Sequence, residues 1–429
     1  MASRWAFRFL LFYICVLCVQ PQNRFTFLYP MHIADICIMG AVGLHFVSAT
    51  QEGKPILRFG PATVIGLLLM FFSFISLHVG RLQTNSAWNS DIDVIFKNGL
   101  VMILVEAMAF NVKRAWAVQA TLLCATMWWI KGGLRLAGAG ATYSGDRIMG
   151  PAVSLIENPN GFAYLMTVMI PTYLYFFQKA PSKLARVSCL ACALAAVYIV
   201  LNTGSRTGLL ALIAVGAFLL PKYGRQHKVA IGVAVVAIPM IMGTVGALNM
   251  ERFRTIPESI RNFLGKGEEK AFADMTQDEQ SSWERRQKNI DTWALIKDNF
   301  IFGVGVQPDD AQVWAMYGYA GGQVHNEILY AGKQMGIVGM SLYLGLLGTV
   351  FLRGRRTEKH LANYWPAMAD LGWTLKMQAV VFVVGGFFSP LAWNPIMMAL
   401  VGCASALWTN VSERSYGWEE TEASAPQPV

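Results

Sequence analysis

Apolar runs long enough to cross a bilayer recur along almost the whole of this chain, and no other feature constrains its fold as much. A spanning helix needs about 20 consecutive, mostly apolar residues. In lipid every backbone N–H and C=O must be satisfied within the protein, which leaves helices and closed barrels. Barrel strands would read as short alternating segments, and the chain shows continuous runs instead. Stretches near 5–20, 31–49, 60–79, 93–112, 115–130, 161–178, 185–202, 207–220, 229–248, 327–352, 370–388 and 391–408 predict twelve spans. Only 14% of residues are charged, where a soluble domain carries about 25%. The expected fold class is all-α: a polytopic helical membrane protein with about 12 transmembrane helices and one large loop domain.

Charge sets the sidedness. With the N-terminus inside, the inner loops hold Lys54, Arg58, Lys113, Arg114, Lys179, Lys183, Arg186, Lys222, Arg225, Lys228, Arg353, Arg355, Arg356 and Lys359. The short outer loops hold only Arg24, Arg81, Lys131, Arg135, Arg147 and Arg206. Cations favour the cytoplasmic side, and long loops cross whatever their charge. Residues 1–249 therefore read as nine helices with short loops, 250–326 as a large, mostly helical extracytoplasmic loop, and 327–411 as three more helices. Residues 412–429 read as a disordered cytoplasmic tail. The net charge of +9 follows from these loops, so no nucleic-acid partner is expected. The first apolar run lacks a small-residue cleavage site and reads as a first span. All seven cysteines fall inside predicted spans, where packing is their expected role, the Cys189–Cys192 pair included.

Residues 250–326 form the one long polar stretch, and chemistry is expected there. Gln280 to Asn299 has helical spacing, with Trp283, Ile290 and Trp293 on one face and Arg286 in that stripe. Arg285 and Lys288 project from other faces. Arg206 sits at a helix boundary in the tight turn Asn202 to Gly208, too short to solvate it fully. A guanidinium at the membrane edge needs an anionic partner or water. With Arg285 or Arg286 it can form a two-pronged clamp, because guanidinium forks match phosphate oxygens. A diphosphate lipid fits such a clamp; an arginine snorkelling to the headgroups is the competing reading. His325, at the loop–membrane junction beside Asn326, can act as a general base or orient a hydroxyl. Surface solvation is an adequate account of Arg147, Arg252 and Arg254. Glu327 reads as a helix-start charge, and Asp91 and Asp93 read as a solvated loop. No HExxH, cysteine cluster, Walker A or dinucleotide fingerprint is present, so neither metal nor cofactor is expected.

In this order and on this face, the motifs resemble the O-antigen ligase and polymerase superfamily of bacterial membrane glycosyltransferases. The resemblance rests on Ser205-Arg206-Thr207 at the start of a span, on Arg285, on Phe302-Gly303-Val304-Gly305, on His325-Asn326 and on Gly336-Ile337-Val338-Gly339. Glu157 to Ala163 looks like the family's pre-span motif. The likeness covers roughly residues 145–350. It implies a C-type glycosyltransferase architecture and metal-independent, inverting transfer. The donor would be a glycan on undecaprenyl diphosphate and the acceptor a sugar hydroxyl of lipid A–core. Surrounded by membrane lipids, the site would face the periplasm from the bacterial inner membrane. Carried onto this chain, Arg206 and Arg285 would neutralise the diphosphate leaving group, and His325 would position or deprotonate the acceptor hydroxyl. Arg286, Arg147, Asn326, Ser205, Arg252 and Arg254 are the further substrate-binding candidates, with Arg285 and Arg286 both eligible as the loop arginine. The ligase reading comes first. A polymerase or a protein O-oligosaccharyltransferase is the alternative. A lipid-linked glycan transporter, from a different class, should carry charges through its central spans, and here they gather at one face.

Overall fold

A computed structural model describes residues 1–80, 90–139, 142–143, 147–151, 156–223, 247–263, 275–306, 314–315, 317–319, 323–389 and 391–414. Its main helices are α1 (Ala2–Val19), α2 (Ile33–Gln51), α3 (Pro61–Val79), α4 (Ser90–Met108), α5 (Val112–Gly138), α6 (Pro159–Lys179) and α7 (Lys183–Asn202). There follow α8 (Arg206–Tyr223), α9 (Ala247–Arg254), α10 (Ile256–Phe263), α11 (Gln277–Asp298), α12 (Glu327–Leu361), α13 (Pro366–Gly386) and α14 (Pro395–Arg414). The protein is an all-α, multi-pass membrane protein. Helices lie over every predicted apolar stretch except 229–248, nearly all of which is outside the described residues. Among the described residues, seven helical stretches are long and apolar enough to cross a membrane by length and composition.

Local sequence explains where these helices begin. Proline opens α3, α6, α13 and α14, where its missing N–H costs nothing and its fixed φ suits the first turn. Asn111, Asn158 and Ser182 cap α5, α6 and α7 by accepting from Arg114, Asn160 and Ala185 amides. Thr276 and Glu279 close a full capping box at α11.

Burial sorts the bundle. The α6 side chains from Pro159 to Tyr173 are buried with one exception, and α14 is buried almost throughout the turns following Pro395. By contrast α2, α3 and α7 expose Met39, Phe46, Phe71, Phe74, Leu184 and Val187. Apolar side chains facing outward are the expected surface of a bundle whose surroundings are lipid. The long α12 packs against α3, α11, α13 and α14 and so links the membrane bundle to the polar segment.

Three details differ from the sequence reading. Helix α5 runs on to Gly138 rather than ending near 130, carrying Lys131 and Arg135 as helical residues. Beyond it lies a minimal antiparallel pair, β1 (Thr142–Tyr143) and β2 (Arg147–Ile148). And α12 is broken inside: Met335 and Gly336 leave helical geometry, Gly336 with φ 61° and ψ −153°.

Candidate active site

The break in α12 is a docking point. Freed from the helix ladder, Lys333 O accepts from Val304 N at 2.8 Å and Gln334 O from Gly305 N at 3.3 Å, while Ile337 N donates to Phe300 O at 2.8 Å. Ser76 Oγ at the end of α3 lies 2.8 Å from Phe302 O and 2.6 Å from Gln334 O. The Phe302–Gly305 and Gly336–Gly339 motifs are thus two halves of one joint. Both halves need glycine: Gly303 and Gly336 have φ of 67° and 61°, and a Cβ on either would overlap the facing backbone. Buried backbone that leaves regular structure must find its partners elsewhere, and here each segment supplies the other's.

This joint fixes the exit of α11, and the packing of that helix decides which of its faces turns inward. Trp283, Ile290 and Trp293 are exposed, whereas Ser282, Asp291, Thr292, Leu295 and Ile296 are buried. The inward face therefore carries Arg285 and Lys288 toward α12.

On that face stands His325. It is half-buried, and its Nδ1 is buried without a hydrogen-bond partner. Burial, together with the positive charges of Arg285 and Lys288, pushes its pKa from 6.5 down to about 3. Its imidazole is neutral at neutral pH. Asn326 follows it and caps α12, its Oδ1 accepting from Ile328 N and Leu329 N at 3.0 and 3.1 Å.

A second cluster forms around the Arg206 turn. Ser205 is buried, and its Oγ accepts from Gly208 N at 3.2 Å, capping the helix that Arg206 opens. Arg147 reaches the same turn: its Nε donates to Thr203 O at 2.7 Å and its Nη2 to Asn160 Oδ1 at 3.0 Å. Arg147 thereby ties β2 to the first turn of α6 and to the α7–α8 connection.

Helix α6 joins the two clusters. Asn160 holds Arg147, and Tyr164, one helical turn on, shares its hydroxyl between Phe382 O and Glu327 Oε2, at 3.2 and 3.3 Å. Residues at this spacing sit on one helix face about 5–6 Å apart. The His325 turn is therefore bonded directly, and the Arg206 turn through Arg147, to adjacent positions of one helix.

The remaining candidates lie elsewhere. Arg286 is half-buried beside Arg285 on α11. Arg252 and Arg254 lie on α9, which packs against α8; Arg254 is exposed. Several residues with no motif around them prove central. Glu327 is fully buried and bonded to Tyr164, Tyr343 and Leu391 N; it is more than a helix-start charge. Asp91 accepts from Tyr330 Oη at 2.7 Å and Gln334 Nε2 at 2.8 Å, so it is no solvated loop residue. Lys333 is buried, its ammonium 5.2 Å from the Tyr330 ring centre and 5.8 Å from that of Trp314.

Residues 190–344 match the family model described as O-antigen ligase. That span takes in the Arg206 turn, α11, His325 and the break in α12. That match supports a likeness of this part of the chain to the O-antigen ligase-like superfamily. No curated protein matches the chain. The matched family indicates ligase- or polymerase-like glycosyl transfer, with lipid-linked glycans and membrane lipids as the general class of partner.

Proposed function

We propose that this O-antigen ligase-like protein transfers a glycan from undecaprenyl diphosphate to a sugar hydroxyl of lipid A–core, from the periplasmic side of the inner membrane. The observation that carries the reading is the pairing of a neutral His325 with Arg285 and Lys288, linked through α6 to the Arg206 turn. In the proposed step the acceptor oxygen attacks the anomeric carbon from the face opposite the leaving group. A C–O bond forms, the bond to the diphosphate breaks, and the anomeric configuration inverts. Arg206 and Arg285 neutralise the charge that grows on the departing diphosphate, where preorganised donors act most strongly. The N-terminal amides of α8 add partial positive charge at the same end. His325 takes the acceptor proton.

The low proton affinity of His325 without substrate fits this order of events. A bound diphosphate offsets Arg285 and Lys288, so the base strengthens once the donor is in place. Arg286, Arg147, Asn326, Ser205, Arg252 and Arg254 are proposed to support binding, three of them, Arg147, Asn326 and Ser205, by holding the turns just described.

The test uses purified full-length protein with undecaprenyl-diphosphate-linked glycan, with and without lipid A–core, and products separated on a gel. A shift that requires core supports the ligase. A ladder on the carrier without core replaces it with a polymerase. No product with intact donor and folded protein overturns the reading. Chelation by EDTA should leave the rate unchanged.

A further inference from the structure

The first turn of α12 is held from inside the bundle by a carboxylate that the proposed chemistry does not use. Glu327 is fully buried. Its Oε2 accepts from Tyr343 Oη, further along the same helix, and from Tyr164 Oη on α6 at 3.3 Å. Its Oε1 accepts from Leu391 N at 3.2 Å, in the segment between α13 and α14. Gly386 packs against it, leaving no room for a Cβ, which would lie 2.8 Å from Oε2. The 391–394 segment is itself pinned in a strained form at Trp393. Trp393 has φ 64°, held by its Nε1 on Gln334 Oε1 at 2.9 Å and by Asn98 Nδ2 on its carbonyl at 2.6 Å.

Burying a carboxylate is costly unless its oxygens are well supplied with donors. A charge placed only to favour the helix dipole would do so at the surface. Glu327 instead collects donors from three separate parts of the chain. On the other side of the same turn, Asn326 takes the Ile328 and Leu329 amides. His325 immediately precedes that capped turn, so it moves wherever the turn moves.

We propose that Glu327 is a positioning residue: its carboxylate clamps the first turn of α12 to α6 and to the 391–394 segment, and so sets His325 in register with the Arg147–Thr203–Arg206 turn. The register is carried by α6, where Tyr164 lies one turn from Asn160. The inference rests on His325 being the group that serves the acceptor. Geometry matters at that level, because about 1 Å of misplacement can cost about 100-fold in rate.

The experiment compares Glu327→Ala, Glu327→Gln and Tyr343→Phe in the full-length protein. Two readouts are taken: site-resolved carbethoxylation of His325 by diethylpyrocarbonate, read by peptide mass spectrometry without substrate, and transfer kinetics. In Glu327→Ala the His325 reaction rate should rise several-fold and kcat fall by about 100-fold, with donor KM unchanged. Glu327→Gln should restore most of both, since an amide still accepts from Leu391 N and bonds a tyrosine oxygen. A folded Glu327→Ala with wild-type His325 reactivity and kcat overturns the proposal. So does a Glu327→Gln as impaired as Ala, because the negative charge would then matter rather than the clamp. If Glu327→Ala does not fold, Tyr343→Phe decides: a partial rise in His325 reactivity supports the clamp, and none overturns it. Altered His325 reactivity in a protein that makes no product with any acceptor would leave the clamp standing and remove the ligase reading.

Discussion

Replacing Gly336 with alanine asks a methyl group to enter space that the 300–306 turn already fills. An ideal Cβ there would lie 2.3 Å from Phe300 O and 2.6 Å from Ile301 C, both backbone atoms. The residue also holds φ 61° and ψ −153°, a conformation that costs a side-chain-bearing residue about 1–3 kcal/mol. Shifting backbone to relieve the overlap adds about 1–3 kcal/mol. If the turn lifts instead, it gives up the bonds Ile337 N to Phe300 O, Val304 N to Lys333 O and Gly305 N to Gln334 O, each worth about 1 kcal/mol net. Either route destabilises the joint by about 2–6 kcal/mol. The assay is thermal unfolding in detergent at one scan rate, with hydrogen exchange followed at the Val304 and Gly305 amides. Gly348→Ala is the control: it lies in the same helix, with nothing within 4 Å of its would-be Cβ, and should melt at or slightly above the wild type. Gly336→Ala should melt well below both and lose protection at Val304 and Gly305. A Gly336→Ala protein that melts with the wild type and keeps those amides protected would refute the joint as the anchor of the turn.

Other expectations follow from the same geometry. His325→Ala should reduce transfer by about 100-fold or more while labelled donor still binds; near-normal turnover would remove His325 from the mechanism. Arg206→Lys should cost about 10–100-fold in kcat/KM, because an ammonium loses the fork's paired charged bonds; full activity would reduce Arg206 to a point charge. The histidine also gives a pH signature. Its folded pKa of about 3 lies below the ordinary 6.5, so between those values the unfolded chain binds the proton more readily. Stability from this source is complete above pH 6.5 and declines as pH falls, by about 2 kcal/mol at about pH 5. His325→Gln should flatten that part of the decline, read as unfolding midpoints at about pH 7.5 and about pH 5; equal declines in the two proteins would contradict the burial of a neutral imidazole there.

Much of the helical plan was legible because helix length and polarity are local properties. Apolar runs of bilayer length mark the helices without reference to distant residues. The Arg206 turn, Arg285 and His325 were legible as polar residues at the margins of apolar segments, where a membrane chain has few reasons to keep them. The Gly336–Gly339 stretch was legible as a motif but not as a break, since its neighbours continue the apolar pattern of α12.

The amino-acid sequence by itself therefore determined a helical membrane bundle, a polar segment set into it, and the residue types available for holding an anion and moving a proton. Tertiary structure alone decided which of them meet. Periodicity assigns a residue to a face of a helix but does not say which face turns inward, so the exposed Trp283–Trp293 stripe and the inward Arg285 and Lys288 appear only once α11 is packed on α12. The partners of Glu327 lie 163 residues before it, 16 after and 64 after. Those of Asp91 lie 239 and 243 residues away. No local pattern encodes such pairs. They form because a buried carboxylate must find donors wherever packing brings them, and that requirement converts scattered polar residues into one site.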